Sequence, residues 1–142
     1  MPITEDLLKE VFPGLISMWS DAKLEDFVLG YTEDVLAVDP RNPVPVRGRK
    51  ELLDWFKEFK KTFGSFSIRT LHLEMLAPNA FYYEFIMTYA REGEKKRHML
   101  FRPVIIFRES PDGFPISGSG TGMLIRHEQW DMYPCDAQGK RL

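Results

Sequence analysis

The chain is organised around residues 31–49, which run Tyr31-Thr-Glu-Asp-Val-Leu-Ala-Val-Asp-Pro-Arg-Asn-Pro-Val-Pro-Val-Arg-Gly-Arg49. The apolar run Val35 to Val38 predicts a short strand that is buried on both faces, and Asp39 ends it. Prolines and a glycine then interrupt regular structure before a new helix begins. In an apolar cavity, burial would raise the pKa of Asp39 and make it a competent base near neutral pH. The simpler interpretation of an Asp before Pro is a turn.

Apolar residues recur at helical spacing on both sides of this segment. The pattern predicts a helix from about Thr4 to Phe12, followed by a second helix from Pro13 or by one continuous helix with a kink there. A short helix is expected over 23–31. A longer amphipathic helix should begin near Gly48 and end at Gly64.

After Gly64 the apolar period changes from helical to extended. Turn residues divide the remainder into long strands, which we expect at Ser67–Leu76, Phe81–Ala90, Arg97–Arg108 and Ile116–Tyr133. Helices followed by a meander of strands indicate an α+β fold with a cone-shaped, curved antiparallel β-sheet wrapped around the N-terminal helices. We expect one domain over 1–142, with its core at about 13–133 and a mobile polar tail at 134–142.

Composition limits the possible functions. The 142 residues are 44% hydrophobic and 28% charged, as in an ordinary globular domain, and the net charge of -2 gives no basic excess for nucleic acid. A single cysteine, Cys135, predicts no internal disulfide and favours a reducing, cytoplasmic setting. No signal peptide and no membrane span are expected.

The order of these elements resembles the nuclear transport factor 2-like superfamily. The residues that carry the resemblance are Tyr31-Thr-Glu-Asp-Val, Asp39-Pro40, the Arg47-Gly48-Arg49 junction, Leu52 to Phe56, and Trp130-Asp131. Within the superfamily the chain is similar to SnoaL-like polyketide cyclases, ketosteroid isomerases and limonene epoxide hydrolases. The resemblance implies a cone-shaped cavity and chemistry without a cofactor or metal.

Two of these enzyme groups suggest site residues. Asp39 resembles the general base of ketosteroid isomerases, whose oxyanion is held by a tyrosine and a protonated aspartic acid. This chain has Leu15 or a neighbour near the tyrosine position, and no acid in Phe101–Phe107. Glu128 and Glu84 lie near the two acids of limonene epoxide hydrolases, although Tyr82 stands where their arginine would be.

The last strand leaves two alternatives open. Arg126, Glu128 and Trp130 alternate with His127, Gln129 and Asp131, so one set faces the cavity and the other faces outward. The epoxide hydrolase comparison favours Glu128 inside. Polyketide cyclases, which work with an aspartate and a histidine, favour His127 or Asp131. Glycines upstream can shift the register, and Asp131 as a structural helix cap is a further alternative.

Other polar and aromatic residues complete the candidate site. A carboxylate such as Glu84 on an apolar strand needs either a partner for its charge or a functional role. The simpler interpretation is an ion pair with Arg102 or Arg69. No second metal ligand accompanies His72 or His98 at metal-site spacing. We predict that the substrate site is formed by Trp19, Trp55, Phe59, Tyr82, Glu84 and Trp130.

These observations predict an isomerase, cyclase or epoxide hydrolase acting on a hydrophobic polyketide-, terpenoid- or steroid-like compound. Asp39 would take the proton, and Glu128 or Asp131, with His127 as a relay, would return it. Asp39→Asn should then fold and lose turnover. The alternatives are a non-catalytic ligand-binding or dimerisation module and a protein-interaction module. A homodimer is expected through an outer sheet face that carries Leu100, Val104 and Ile106, or the residues that alternate with them.

Overall fold

The computed structural model describes residues 3–21 and 23–142. Its helices are α1 (Glu5–Asp21), α2 (Leu24–Phe27) and α3 (Gly48–Phe63), with a 3-10 turn at Val28–Gly30. The Thr4 hydroxyl accepts a 3.2 Å hydrogen bond from the backbone N–H of Leu7, which caps α1 as its position predicts. Helix α1 runs through Pro13 without a second start, so the one-helix alternative is correct.

In the described part of the chain, eight strands follow the helices or lie between them. They are β1 (Tyr31–Val38), β2 (Val46–Arg47), β3 (Phe66–Ala77), β4 (Ala80–Tyr89), β5 (Arg97–Phe101), β6 (Val104–Ile116), β7 (Thr121–Gln129) and β8 (Met132–Cys135). The sheet has the order β2-β1-β7-β6-β4-β5-β8, and β3 pairs with the other edge of β4. Two predicted long strands are therefore each broken in two, at Arg102-Pro103 and at Trp130-Asp131.

The sheet is curved and open, and it is mixed rather than purely antiparallel. Strand β1 pairs in parallel with β7, while the other pairs are antiparallel. The expected antiparallel meander covers β3 to β8. The parallel pairing is possible because a long connection, from β2 through β6, separates β1 from β7 along the chain.

Alternation along the strands places the core between the sheet and the helices. On β4 the residues Phe81, Tyr83, Phe85 and Met87 are buried beneath the helices. Helix α3 meets them with Leu52, Phe56, Phe59 and Phe63, and Gly64 ends it at a φ of 66°. The helices and the concave side of the sheet thus enclose an unusually aromatic interior.

Strand β6 is longer than expected. The Pro111-Asp112-Gly113 segment was expected to end the strand near Arg108, but β6 continues to Ile116. Both Glu109 and Phe114 pair with Met123, so the residues between them bulge out of the ladder. A Cβ atom on Gly113 would lie 2.3 Å from the Met123 backbone, which explains why this bulge needs glycine.

The C-terminal tail is ordered, contrary to expectation. Strand β8 pairs with β5, and Cys135 bridges to Arg141. Cys135 packs with Ile86 and Leu100 in a small apolar cluster on the outer face of the sheet. The tail therefore covers Leu100, one of the residues expected to lie in a dimer contact. None of the described helices is long and apolar enough to cross a membrane.

Candidate active site

A cavity lies between the helices and the concave face of the sheet. Eight of its twelve lining residues are aromatic; the lining comprises Ile16, Trp19, Phe27, Tyr31, Trp55, Phe56, Phe85, Phe101, Pro103, Ile105, Glu128 and Trp130. Of these, Ile16 and Trp55 are the two that are partly exposed. The cavity therefore approaches the surface between α1 and α3.

The cavity is narrow. The space that can hold the centre of a water molecule is about 30 Å³. One water occupies roughly 10–15 Å³, so a cavity of this size admits a few waters or a small organic group. A ligand of steroid size needs the aromatic side chains to move.

Glu128 is the ionisable acid among the described lining residues. It is 4% exposed, and its carboxylate accepts hydrogen bonds of 3.2 Å from the Tyr31 hydroxyl and 2.7 Å from Trp130 Nε1. Burial raises the pKa of Glu128 to about 7, against the lowering effect of these two hydrogen bonds. The carboxyl group can therefore gain and lose a proton near neutral pH.

Tyr31 begins β1 and lies fully within the core. Burial, together with the nearby Glu128, raises the pKa of its hydroxyl well above the ordinary value of 10.0. The hydroxyl thus stays protonated and remains a hydrogen-bond donor at neutral pH. Phe27 and Phe114 pack against its ring with centroid distances of 5.9 and 5.8 Å, which fix its position.

A bulge in β7 decides which residues of the last strand face the cavity. Adjacent residues of β6, Ile106 and Phe107, pair with His127 and Ile125, so Arg126 is an extra residue on β7. The inward side is odd-numbered up to Ile125 and even-numbered from Glu128 onward. Of the two alternatives, Glu128 is inside.

Trp19 brings an unused donor to the cavity. Its indole Nε1 is buried and has no hydrogen-bond partner among the residues that the structure describes. Its ring packs against Phe59 and Phe56 with centroid distances of 4.9 and 5.3 Å, so the orientation is held from two sides. A buried N–H in a lining residue can serve a ligand that carries an acceptor oxygen.

Asp39 is buried as predicted, but it lies outside the cavity lining. One carboxylate oxygen accepts the backbone N–H and Nε of Arg41 at 2.9 and 3.2 Å, and the other accepts Arg41 Nη2 and Trp55 Nε1, both at 3.1 Å. Burial alone raises the pKa of Asp39, but these hydrogen bonds outweigh it and hold the pKa below its ordinary value. The expected rise in the pKa of this carboxyl is therefore wrong, because Arg41 compensates its charge.

Asp131 and His127 also lie away from the cavity. The Asp131 carboxylate accepts a 3.0 Å hydrogen bond from Arg102 Nε and is half exposed. His127 is on the outer face, where burial and the neighbouring Arg126 lower its pKa. The structure thus brings neither residue together with Glu128 around a common space.

The predicted substrate-binding residues fall into two groups. Trp19, Trp55 and Trp130 line the cavity, and Trp55 packs on Trp130 with a centroid distance of 4.3 Å. Phe59 stands behind them against Trp19 and Trp55. On the outer face, Tyr82 donates a 2.6 Å hydrogen bond to Glu84, which replaces the ion pair considered for Glu84.

Sequence reasoning missed Tyr31 as a site residue. Tyr31 and Glu128 are 97 positions apart, and they meet because β1 lies beside β7 in parallel. The aromatic side chain at the first position of the buried strand was the available signal. In the described ranges 3–21 and 23–142, no group of three His, Cys, Asp or Glu side chains is arranged to hold a metal ion.

Comparison with known proteins places the fold. No protein-family model matches the chain, and no characterised protein matches it by sequence. Among solved structures, a putative SnoaL-like polyketide cyclase from Jannaschia sp. CCS1 has a TM-score of 0.69 at 10% identity, over 93% of this chain and 88% of that one. A hypothetical protein with a ketosteroid isomerase-like fold from Catenulispora acidiphila DSM 44928, in complex with trimethylamine, has a TM-score of 0.65 at 12% identity, over 91% and 86% of the two chains. An NTF2-like protein from Anabaena variabilis ATCC 29413 has a TM-score of 0.65 at 15% identity, over 100% and 98%.

These structures confirm the predicted fold. The chain has the α+β fold of the nuclear transport factor 2-like superfamily, and its structural neighbours include SnoaL-like and ketosteroid isomerase-like proteins. At such identities the likeness concerns the fold alone, so the chemistry has to be argued from the side chains.

Proposed function

We propose that the protein is an enzyme that takes a proton from the carbon next to the carbonyl group of a small apolar compound and returns it at another atom of the same compound. The reaction would be an isomerisation or a cyclisation through an enolate. One observation carries the proposal: Glu128 is buried among aromatic rings with a pKa of about 7. A base is most effective when its pKa lies near the working pH.

One carboxyl group is enough both to remove the proton and to return it. Ionised Glu128 takes a proton from the carbon next to the carbonyl, which leaves an enolate and a neutral Glu128. The neutral carboxyl then returns the same proton to a different carbon for an isomerisation. In a cyclisation, the enolate carbon first attacks a second carbonyl carbon, and Glu128 gives its proton to the new alkoxide. Such proton transfer contributes on the order of 100- to 10,000-fold in rate.

Two donors are available for the developing enolate oxygen. Trp19 lines the cavity, and its N–H has no hydrogen-bond partner among the described residues. The Tyr31 hydroxyl donates to Glu128 at 3.2 Å while the carboxyl is ionised. Once Glu128 is protonated, its O–H can donate to the Tyr31 oxygen, which frees the Tyr31 O–H to donate to the enolate. This change of hydrogen-bond direction would make the Tyr31 O–H available to the enolate oxygen, where negative charge develops.

The form of the cavity narrows the substrate and the reaction. Its volume suits a compound of a few heavy atoms, and a polyketide-, terpenoid- or steroid-like substrate requires Trp55 or Ile16 to move aside. Epoxide hydrolysis with two carboxylates is less well supported, because Glu128 has no second acid beside it among the described lining residues. We expect the enzyme to work in the cytoplasm, where a buried free Cys135 stays reduced.

A second candidate is non-catalytic binding of a small organic cation. Eight aromatic rings around one buried carboxylate would attract a cation electrostatically. The structural neighbour from Catenulispora acidiphila was solved in complex with trimethylamine. Against this candidate, a cation makes no use of the Trp19 N–H.

Deuterium exchange tests the first candidate and separates it from the second. Acetone, cyclopentanone and 2-cyclohexenone are incubated with the protein in deuterium oxide, and loss of their α-protons is followed by NMR. We expect exchange above the buffer rate for at least one ketone, with a rate that rises through a midpoint near pH 7. Absence of exchange for all three, together with saturable binding of trimethylammonium chloride, would favour the second candidate.

A further inference from the structure

A second group of polar side chains lies on the face of the sheet turned away from the helices. It occupies an open depression of about 500 Å³ over strands β2, β1, β7 and β6. Its charged and hydrogen-bonding side chains are those of Thr32, Asp34, Arg47, Arg108, Arg126 and His127. The proton-transfer chemistry proposed above uses none of them.

Strand pairing brings these side chains together from distant parts of the chain. Arg47 of β2 pairs with Leu36 of β1, Leu36 pairs with His127 of β7, and His127 pairs with Ile106 of β6. The bulge in β7 lets the consecutive residues Arg126 and His127 line the same depression. The arrangement is therefore built by the fold and does not arise from a run of basic sequence.

The depression carries unbalanced positive charge. Arg47, Arg108 and Arg126 are exposed, and none of them forms an ion pair with a described carboxylate. Asp34 is the acid in the lining, so three arginines and one aspartate leave a charge of +2. The whole chain has a net charge of -2, so this local excess runs against its average charge.

Two neutral donors accompany the arginines. Thr32 is 6% exposed, and its hydroxyl has no hydrogen-bond partner among the described residues. An unsatisfied buried hydroxyl is unfavourable, and an anion oxygen would satisfy it. Burial and Arg126 lower the pKa of His127, so its ring is neutral at pH 7 with one N–H to donate.

We propose that this depression is a binding site for a small phosphate monoester. Guanidinium groups bind phosphate oxygens in pairs, and a dianionic phosphate matches the charge of +2. The volume lies in the range of small-molecule sites. A second copy of the chain is a poor occupant, because a two-fold contact would set arginine against arginine.

The test compares methyl phosphate with acetate at matched ionic strength and pH 7.5. Binding is followed by the shifts of backbone amide signals in nitrogen-15 NMR spectra of the full chain. We expect saturable shifts on β1 and β7 with methyl phosphate in the millimolar range or tighter, and binding of acetate weaker by at least about tenfold. Equal shifts with both anions, or no saturation with methyl phosphate, would overturn the proposal.

Variants locate the site. Arg108→Gln combined with Arg126→Gln should weaken methyl phosphate binding by about tenfold or more, and Thr32→Val should weaken it by a smaller factor. Arg91→Gln combined with Arg97→Gln is the matched control, since both arginines are exposed around the turn after β4 and the pair removes the same two charges. Equal weakening by the two paired variants would show only a general charge effect and would contradict the site.

Discussion

Trp130 donates its indole N–H to the carboxylate of Glu128 over 2.7 Å, from two residues further along the chain. Trp130 also packs on Trp55, whose own N–H is held by Asp39 at 3.1 Å. Glu128 and Asp39 are thus each hydrogen-bonded to one of two tryptophans that pack against each other. Their different surroundings assign them different roles: Glu128 titrates near neutral pH, and Asp39 stays ionised and holds the cavity wall.

Glu128 should make the free energy of unfolding depend on pH. Burial raises its pKa to about 7 from an ordinary value of 4.5, so in this window the folded chain keeps a proton that the unfolded chain has lost. Its contribution is therefore present at low pH and is lost as pH rises through about 7, by on the order of 3 kcal/mol. Urea unfolding of wild type and Glu128→Gln at several pH values should show the wild type losing stability relative to the variant in this window.

Trp130→Phe is a second variant for the same measurement of urea unfolding at several pH values. It removes a hydrogen bond that favours the carboxylate, so the pKa of Glu128 rises further and the loss of stability extends to higher pH. A difference between wild type and Glu128→Gln that stays constant with pH would show that Glu128 ionises in the folded chain as it does in water.

Asp39→Ala should destabilise the fold. The substitution leaves Trp55 Nε1 and the Arg41 guanidinium without their acceptor, which costs about 1–3 kcal/mol in the free energy of unfolding. Because the pKa of Asp39 is lowered, the difference from wild type should be full above about pH 4 and should shrink as pH falls below that. Asp54→Ala, on the exposed face of α3, is the control and should change stability by less than about 0.5 kcal/mol.

Two glycines should respond in opposite ways to alanine. A Cβ atom on Gly30 would lie 2.2 Å from the ring of Phe114, which packs on Tyr31. Gly30→Ala should therefore lower the free energy of unfolding by about 1–3 kcal/mol and disturb the Tyr31–Glu128 contact. Gly14→Ala, inside α1, should raise it by about 0.5–1 kcal/mol, because beyond the helix's own backbone and the two chain neighbours a Cβ atom there would meet no described atom within 4 Å. Thermal melting of both variants is the measurement, and a stabilised Gly30→Ala would contradict the packing around Tyr31.

We propose that the protein forms a homodimer through the part of the outer sheet face beside the arginine-lined depression, at a contact that includes Val104 and Ile106 and leaves the depression itself open. The tail already covers Leu100, so these half-buried residues have to supply the apolar contact. Sedimentation at micromolar concentration should show a dimer that Val104→Glu weakens. Leu29→Glu, at an exposed position on the helical side, should leave the dimer intact. A wild-type monomer under these conditions would rule the dimer out.

The architecture was readable from local patterns because each element carries its own signal. The period of apolar residues, Gly64 at a helix end and the glycines between Ile116 and Thr121 all act over a few residues. The tail was misjudged because its order depends on a contact between Cys135 and the outer face of a distant strand, β4. Strand β6 was expected to end near Arg108 because Pro111-Asp112-Gly113 is typical of a turn. In the structure these residues form a bulge opposite Met123, and the strand continues.

The site was harder to predict for two physical reasons. The bulge at Arg126 inverts the alternation of β7, and such an insertion is visible only against the partner strand. Asp39 was assigned to the cavity because it follows an apolar strand and resembles the general base of ketosteroid isomerases, but its charge is compensated by Arg41, two residues further on. The sequence Asp39-Pro40-Arg41 already places a basic side chain close to the carboxylate. Tyr31 reaches Glu128 through the parallel pairing of β1 with β7, which local patterns do not specify.

The most direct measurement compares Glu128→Gln with Asp39→Asn in the deuterium-exchange assay, using whichever ketone the wild type exchanges. Glu128→Gln keeps the shape of the side chain and loses the base, so the rate should fall by on the order of 100-fold or more. Asp39→Asn retains an acceptor for Trp55 and should keep the rate within about tenfold of wild type. Full exchange in Glu128→Gln, or loss of exchange in Asp39→Asn with the fold intact, would contradict the assignment of the base.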